Sequence, residues 1–195
     1  MLVHVPEMFH HVVLGQTLDD AAGEAFDKVA RLIGLGFPGG PALDAMARQG
    51  DPHAIRFPRA MQDSGDYDFS LSGLKTAVLR HVKAARAAGQ DLHLPDLAAS
   101  FQEAIVDVQV SKTITAAKDV GAPTVLLGGG VVANTRLRER LAAAGEQEGL
   151  EVLFPSMPLC TDNAAMIACL GAARWARGER TSLDIAADPQ LRLTA

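Results

Sequence analysis

Hydrophobic and polar residues alternate along the chain with two different periods. Leu2–Val5 and Phe9–Leu14 alternate as strands do, and the turn residues Pro6–Glu7 between them predict an antiparallel hairpin. The last third contains two apolar runs, "TVLLGGG" and "LEVLFP", each followed by a segment with helical spacing. Strand, helix, strand and helix in this order predict parallel strands with crossover connections. With the hairpin antiparallel to them, the expected fold is α/β with a mixed sheet and flanking helices.

Between these strand regions the spacing of the apolar residues is helical. The first helix is expected from Ala22 until Gly34 ends it, and Thr17 with Asp20 three residues later is similar to a capping box. A second helix is predicted over Pro41–Ala47. Two longer ones follow, the first after a short strand and a Ser-Gly turn. They lie within "DFSLSGLKTAVLRHVKAARAAG" and "PDLAASFQEAIVDVQVSKTITAAKDVG".

Composition narrows the class of protein. The 195 residues are 48% hydrophobic with a net charge of −5, which is typical of a globular chain and provides no general attraction for nucleic acid. No apolar run is long enough for a membrane span, and the first residues do not have the layout of a signal peptide. Cys160 and Cys169 do not make a disulfide framework, so we expect a cytoplasmic protein.

A glycine triplet follows the first strand of the last third. In "LLGGGVVANTRLRERL", Gly129 and Gly130 stand between that strand and a helix, where a ligand can approach the backbone and meet unpaired N–H groups. A tight turn with Asn134 capping the helix would need fewer glycines. The letters also fit a dinucleotide pattern, but no acid ends the next strand. The sequence therefore favours nucleotide contact at this turn.

Carboxylates and glycines also meet around the first helix. Asp27 lies on its polar face, and the helix runs into "GFPGGPALD", where Gly40 exposes backbone beside Asp44. Such carboxylates suit the hydroxyls of a ribose or sugar, although a solvated charged face explains the helix taken alone.

Asp162, in "PLCTDNAAMIA", follows a proline-bounded strand and precedes a helix. By itself this position predicts only that Thr161 or Asp162 caps the helix. The six histidines have no metal-ligand spacing, since His10 and His11 are adjacent on a strand and face opposite sides. We expect all six histidines to be structural or surface residues.

Six stretches in this order carry a resemblance to a known family, the tRNA threonylcarbamoyladenosine transferases, which are also called glycoproteases or O-sialoglycoprotein endopeptidases. The stretches are "GQTLDDAAGEAFDKVARLIGLGFPGGPALD", "FPRAM", "DFSLSGLKTAV", "AASFQEAIVD", "LLGGGVVANTRLRERL" and "PLCTDNAAMIA". The resemblance implies the fold shared by actin, sugar kinases and heat-shock chaperone ATPases, with two ribonuclease-H-like lobes around a nucleotide cleft. It also implies transfer of threonylcarbamoyl from threonylcarbamoyl-adenylate to the adenosine beside the anticodon, in tRNAs that read codons starting with A.

The resemblance also assigns residues. Asp27, Gly40, Asp44 and Asn134 match nucleotide- or adenylate-binding positions, and Asp162 matches a ligand of one divalent metal, iron or zinc. The two histidine ligands of that metal and a phosphate-handling loop stand in the first half of family members and have no match here. No catalytic residue is assigned. The implied partners are tRNA, an inactive paralogue subunit and a small ATPase subunit.

We therefore expect residues 1–195 to be an incomplete second lobe, without the first lobe and the first strand of the second, with a helical insertion at about 17–120. We expect such a truncated chain to be inactive alone and to associate through open sheet edges. Two alternatives stay open, an ATP-dependent sugar kinase-like phosphotransferase of the same fold and a non-enzymatic scaffold subunit. Transfer to tRNA against phosphorylation of a sugar would separate the first, and the ligand-type residues argue against the second.

Overall fold

A computed structural model describes residues 1–188, 191 and 193. Helices dominate it, and the two sheets are small. The strands are β1 Leu2–Glu7, β2 His10–Gly15, β3 Thr124–Leu126 and β4 Glu151–Leu153. The α-helices are α1 Ala22–Leu32, α2 Gly39–Ala47, α3 Ser72–Ala87, α4 Leu94–Asp119, α5 Thr135–Glu148 and α6 Ala164–Ala176. Short 3₁₀ helices span Gly130–Ala133 and Met157–Leu159.

The core is built around α4, a helix of 26 residues. Its first half packs against α1, α2 and α3, with the rings of Phe26 and Phe101 meeting edge to face at a centroid distance of 5.4 Å. Its second half packs against α5 through a smaller apolar cluster that includes Val106, Val110 and Leu141. Because α4 is covered on several sides, its buried residues are not confined to one apolar stripe, and they include the polar side chains of Gln102, Glu103 and Lys112.

The strands form two separate two-stranded sheets, an antiparallel hairpin of β1 and β2 and a parallel pair of β3 and β4. The α/β content and the direction of each pair are as expected, and among the described residues no strand joins the hairpin to the parallel pair. The hairpin turns at Met8–Phe9, not at Pro6–Glu7, and Phe9 adopts a φ of 73° there.

Helix positions agree with the periodicity, but two predicted caps do not form. Thr17 Oγ1 donates to the carbonyl of Asp20 at 2.8 Å, and α1 has no side-chain cap, so the capping box is wrong. Asn163 caps α6, since its Oδ1 accepts from the N–H of Met166 at 3.0 Å, and neither Thr161 nor Asp162 does so. Ser72 and Gly73 are the first two residues of α3, so the predicted Ser-Gly turn is part of the helix.

Lys112 on α4 fastens the loop before α3. Its ammonium is 3% exposed and donates to Ser64 Oγ, to both the carbonyl and the carboxylate of Asp66, and to the carbonyl of Asp68. It also lies 5.8 Å from the centroid of the Phe69 ring. A buried ammonium with its donors all used holds several backbone groups that would otherwise lack partners.

Asp19 joins the segment before α1 to the start of α3. Its carboxylate accepts from the N–H of Leu71 at 2.8 Å and from the hydroxyl of Ser70 at 2.5 Å. Partial burial acts to raise the pKa of Asp19, but hydrogen bonds from Leu71, Ser70 and Ser72 outweigh it and hold the pKa at about 2.

Helix α6 is apolar yet exposed. Ile167 is 69% and Trp175 65% exposed, and no residue of the helix is buried. Arg174 of α6 and Arg177 directly after it lie over the ring of Phe9 in the hairpin turn, at 5.8 and 4.9 Å from its centroid. Within the described residues, no helix is long and apolar enough to cross a membrane.

We predict that Lys112→Met lowers the free energy of unfolding by about 2 kcal/mol, because carbonyl groups around the ammonium lose their donor. Urea denaturation monitored by circular dichroism measures the change. Lys118→Met is the matched control, since its ammonium is 53% exposed in a surface pair with Glu148. Equal losses in both variants would contradict a special role for Lys112.

The pH dependence of stability should report on Asp19. Its pKa is about 2 in the folded chain against an ordinary 3.8, so its contribution is complete above the higher value and disappears as the pH falls towards the lower one. Asp19→Asn should flatten the fall of the unfolding free energy between about pH 5 and 2.5 in urea titrations. An Asp19→Asn chain whose unfolding free energy falls as steeply with pH as that of the original chain would contradict this role.

Exposed apolar surface on α6 predicts concentration-dependent association of the isolated chain. Sedimentation velocity should show it, and Ile167→Glu with Leu170→Glu should weaken it. Leu18→Glu, at a residue 63% exposed outside α6, is the control. A chain that stays monomeric at all concentrations, with a sharp cooperative melt, would contradict the prediction.

Candidate functional site

Asp27 connects α1 to the start of α2. Its Oδ1 accepts from the N–H of Gly39 at 2.8 Å, which satisfies one of the unpaired donors of the α2 N-terminus. The backbone can come this close only because residue 39 is a glycine. A Cβ there would lie 2.6 Å from the Cβ of Ala30 and 2.7 Å from the Cα of Asp27. Asp27 and the neighbouring Gly40 are thus fixed beside each other.

A charged cluster holds α1 against α3. Asp20 accepts from Lys28 at 2.8 Å and from Lys75 at 2.5 Å, and Glu24 also pairs with Lys28. Hydrogen bonds from Lys28 and Lys75 lower the pKa of Asp20. This cluster keeps the helix that carries Asp27 in place. Its acidic groups, Asp20 and Glu24, are paired with lysines of the same chain.

Asp44 lies on α2 and is 5% exposed. Its Oδ2 accepts from Arg48 Nη2 at 2.7 Å and from the hydroxyl of Thr135 at 3.0 Å. Its Oδ1 is buried and has no hydrogen-bond donor among the described residues. The hydrogen bond to Thr135 connects α2 to the first residue of α5, 91 positions further along the chain.

The glycine turn leads from β3 into the 3₁₀ helix before α5. Apart from the flanking residues, no atom of the described part of the chain lies within 4 Å of where a Cβ would stand at Gly128, Gly129 or Gly130, and Gly129 has a φ of 92° that favours glycine. A Cβ on Gly23 of α1 would lie 3.8 Å from Val131 of this turn. The backbone of the turn is therefore open on one side and adjacent to α1 on another.

Asn134 uses both ends of its side-chain amide within the chain. Its Oδ1 caps α5 by accepting from the N–H of Leu137 at 2.9 Å, and its Nδ2 donates to Gln102 of α4 at 2.7 Å. The capping role predicted from the sequence is confirmed. Each amide atom keeps one further hydrogen-bonding position, so the cap does not preclude a ligand contact.

Buried Glu103 holds α5 on α4. Its carboxylate, 1% exposed, accepts from Arg136 Nε at 2.7 Å and from Arg140, which also pairs with Asp107 at 3.0 Å. The hydrogen bond that Arg136 donates to Glu103 raises the pKa of Arg136 above its ordinary value. Two arginines on successive turns of α5 thus share one buried carboxylate, which fixes the rotation of the helix that begins at Thr135.

Arg138 ties the glycine turn to the segment that carries Asp162. Its guanidinium donates to the carbonyls of Val132 at 2.5 Å and Pro155 at 2.9 Å, and to Cys160 Sγ at 3.1 Å. It also lies 5.2 Å from the centroid of the Phe154 ring. The end of the glycine turn and the stretch from Pro155 to Cys160 therefore meet at one side chain.

Asp162 itself is exposed, and its carboxylate has no hydrogen bond or ion pair to the part of the chain that the structure describes. Within those residues, no group of three or more His, Cys, Asp and Glu side chains is placed to hold a metal ion. One carboxylate is a poor site for iron or zinc. The described residues alone do not fit the metal that the resemblance implies.

The structure thus brings the predicted nucleotide residues together from three elements. Asp27 and Gly40 lie at the α1–α2 junction, Asp44 is bonded to the start of α5, and the turn with Asn134 adjoins both α5 and α1. Two surface depressions of about 340 and 570 Å³ lie elsewhere, one between α4 and α5 and one over residues 52–62. Neither depression is lined by a predicted site residue. The candidate site is therefore defined by the hydrogen bonds between the three elements and not by a surface pocket.

Sequence reasoning missed four residues that build this site: Arg48, Gln102, Thr135 and Arg138. Thr135 directly follows the predicted Asn134, so adjacency could have indicated it. The other three lie on helices or, for Arg48, directly after one, where a charged or amide side chain is ordinary, and only the tertiary contacts reveal them.

Comparisons with known proteins agree with the resemblance. Residues 1–169 match the family model of tRNA N6-adenosine threonylcarbamoyltransferase. The chain is similar to proteins of that name from three bacteria. Identity is 50% with the protein from Moorella thermoacetica over 98% of this chain, 53% with that from Desulfitobacterium hafniense over 93%, and 54% with that from Anaeromyxobacter sp. over 93%.

The match is one-sided in length. These alignments take in 56%, 53% and 54% of the respective relatives. The chain therefore spans about half the length of the curated relatives it matches, and its candidate site contains only what that half supplies.

Proposed function

We propose, because the chain belongs to the tRNA N6-adenosine threonylcarbamoyltransferase family, that it forms the part of such an enzyme that binds the adenylate of threonylcarbamoyl-adenylate. The observation that carries the proposal is the convergence of Asp27, Asp44 and the open glycine turn at the junction of α1, α2 and α5. Carboxylate oxygens and exposed backbone N–H groups are the partners that ribose hydroxyls and a phosphate require.

The proposed reaction transfers the threonylcarbamoyl group to the N6 amino group of the adenosine next to the anticodon in tRNAs that read codons starting with A. The amino nitrogen attacks the carbonyl carbon, the bond from that carbon to the phosphate oxygen breaks, and AMP leaves as one proton is released to solvent. Holding donor and acceptor in one geometry is the largest contribution that a binding site of this kind can make.

Each element has a stated part in binding. Asp27 has one carboxylate oxygen on Gly39 and a second available for a hydroxyl of the ribose. Gly40 and the glycine turn present backbone to the ligand without an intervening side chain. Asn134 retains one donor and one lone pair at the N-terminus of α5, where the helix dipole favours a negatively charged group.

Asp162 is proposed as one ligand of a divalent metal, iron or zinc, together with ligands that the described residues do not supply. No step of the transfer is assigned to that metal. The proposed macromolecular partners are tRNA, a paralogous subunit without activity and a small ATPase subunit. Arg138 bonds both to the end of the glycine turn and to the segment before Asp162, which supports placing the two parts in one site.

We predict that AMP binds the chain, and that Gly130→Val weakens this binding at least tenfold in isothermal titration calorimetry. Gly130 does not need a positive φ and has open space where a Cβ would stand, so the chain tolerates valine while the side chain blocks the ligand. Gly73→Val is the control, because it also has open space but lies on α3. Unchanged AMP affinity in Gly130→Val would show that the turn is only a turn.

The transfer reaction is tested by adding the part of a relative that this chain does not match. The chain is mixed with the segment of the Moorella thermoacetica relative that has no counterpart in it, and then with tRNA and threonylcarbamoyl-adenylate. Mass spectrometry of the digested tRNA should detect the modified nucleoside from the mixture and not from the chain alone. Product from the chain alone would disprove its predicted inactivity, and phosphorylation of a sugar would favour the kinase alternative.

A further inference from the structure

Asp44, Arg48 and Thr135 form a closed ring of three hydrogen bonds. Arg48 Nη2 donates one proton to Asp44 Oδ2 at 2.7 Å and the other to Thr135 Oγ1 at 3.0 Å. The Thr135 hydroxyl donates its single proton to the same Asp44 oxygen at 3.0 Å. Every proton of these two donor groups is therefore used once, and the ring has only one consistent direction.

The ring leaves the two oxygens of Asp44 in different states. Oδ2 accepts two hydrogen bonds, whereas Oδ1 is enclosed and has no donor among the described residues. A buried carboxylate oxygen without a donor is costly, so any donor that reaches it is bound favourably. Rotation of the carboxylate, which would exchange the two oxygens, requires the bonds to Arg48 and Thr135 to break first.

The two donors do not contribute equally. Arg48 directly follows α2, four residues after Asp44, and its side chain is 60% exposed, so this ion pair alone holds the carboxylate weakly. Thr135 is the first residue of α5, which Glu103 fixes through Arg136 and Arg140. The hydroxyl of Thr135 is thus the rigid reference against which Asp44 is oriented.

We propose that Thr135 and Arg48 are positioning residues of the nucleotide site. They hold Asp44 so that Oδ1 is the acceptor left for a ribose hydroxyl of the ligand, once the neighbouring surface gives way to it. The inference rests on the proposed function and deepens it, since it makes recognition of the ribose depend on two residues that need not touch the ligand.

The test uses AMP, 2′-deoxy-AMP and 3′-deoxy-AMP as probes in calorimetry on the full chain. Thr135→Val keeps the shape of the side chain and removes its hydroxyl, and Thr135→Ser keeps the hydroxyl. Loss of one hydrogen bond of about 1.4 kcal/mol corresponds to tenfold in affinity. We expect Thr135→Val to bind AMP about tenfold more weakly and Thr135→Ser to bind it within about twofold of the original chain.

Action through Asp44 is tested by two further comparisons that a purely structural role would not affect. In an Asp44→Ala background, Thr135→Val should cause no further loss of AMP affinity. With one of the two deoxynucleotides, the original chain and Thr135→Val should bind equally, because the hydroxyl that Asp44 accepts from is gone. Melting temperatures of all variants are recorded alongside, and Arg48→Met repeats the comparison if Thr135→Val does not fold.

The outcomes separate this inference from the function on which it rests. A chain that binds none of the three nucleotides overturns the proposed function, and the inference with it. AMP binding that is unchanged in Thr135→Val, or that falls equally with and without Asp44, overturns the inference alone. A loss that needs both Asp44 and the ribose hydroxyl supports it.

Discussion

The buried carboxylate of Glu103 is the contact on which the arrangement of the site depends. It is 1% exposed and is satisfied by Arg136 and Arg140 of α5, so α5 can adopt only the rotation that places both arginines over it. Breaking such a buried pair on one side leaves an uncompensated charge, which is among the costlier defects in a protein. The apolar cluster of Val106, Val110 and Leu141 sets the distance between the helices, and the ion pairs set their register.

The positions of the site residues at the start of α5 are fixed by this register. Asn134 caps the helix and reaches back to Gln102, Thr135 bonds Asp44, and Arg138 gathers the segments on the other side. One helix therefore relates three groups that are far apart in sequence: the α1–α2 junction, the glycine turn and the segment leading to Asp162. Central helix α4 acts as the common support, because it holds α5 through Glu103 and the loop before α3 through Lys112.

The helices were predictable because their signals are local. Ala22–Leu32 and Leu94–Asp119 follow from apolar spacing and a terminating glycine or proline, and the pairing direction of β3 with β4 follows from the helix between them. The relation between the hairpin and the β3–β4 pair was not predictable in the same way. Whether such strand pairs join depends on long-range contacts that no short pattern encodes. The cap of α6 was misplaced by one residue, since Thr161, Asp162 and Asn163 can all cap a helix and only the backbone path selects Asn163.

The candidate site shows the same division. Glycines that need an open or close-packed backbone, such as Gly129 and Gly39, are visible in the sequence because few other residues serve there. Arg48 and Arg138 are not visible, because an arginine on a helix is normally a solvated side chain and its partners lie on other elements. Thr135 is intermediate, being a small polar residue at a helix start whose hydroxyl happens to point across to α2.

The two cysteines differ in accessibility, which permits selective labelling of one of them with a fluorescent dye. Cys160 is enclosed beneath the Arg138 guanidinium, whereas Cys169 stands exposed on α6. Because thiol reagents require access to the sulfur, a maleimide dye attaches at Cys169 and leaves Cys160 untouched. The dye is thereby placed on a helix whose residues are all accessible, among side chains such as Ile167 and Leu170. With a polarity-sensitive dye, the emission wavelength changes with the polarity around that helix. The unaltered chain can therefore report binding to α6 without an introduced cysteine.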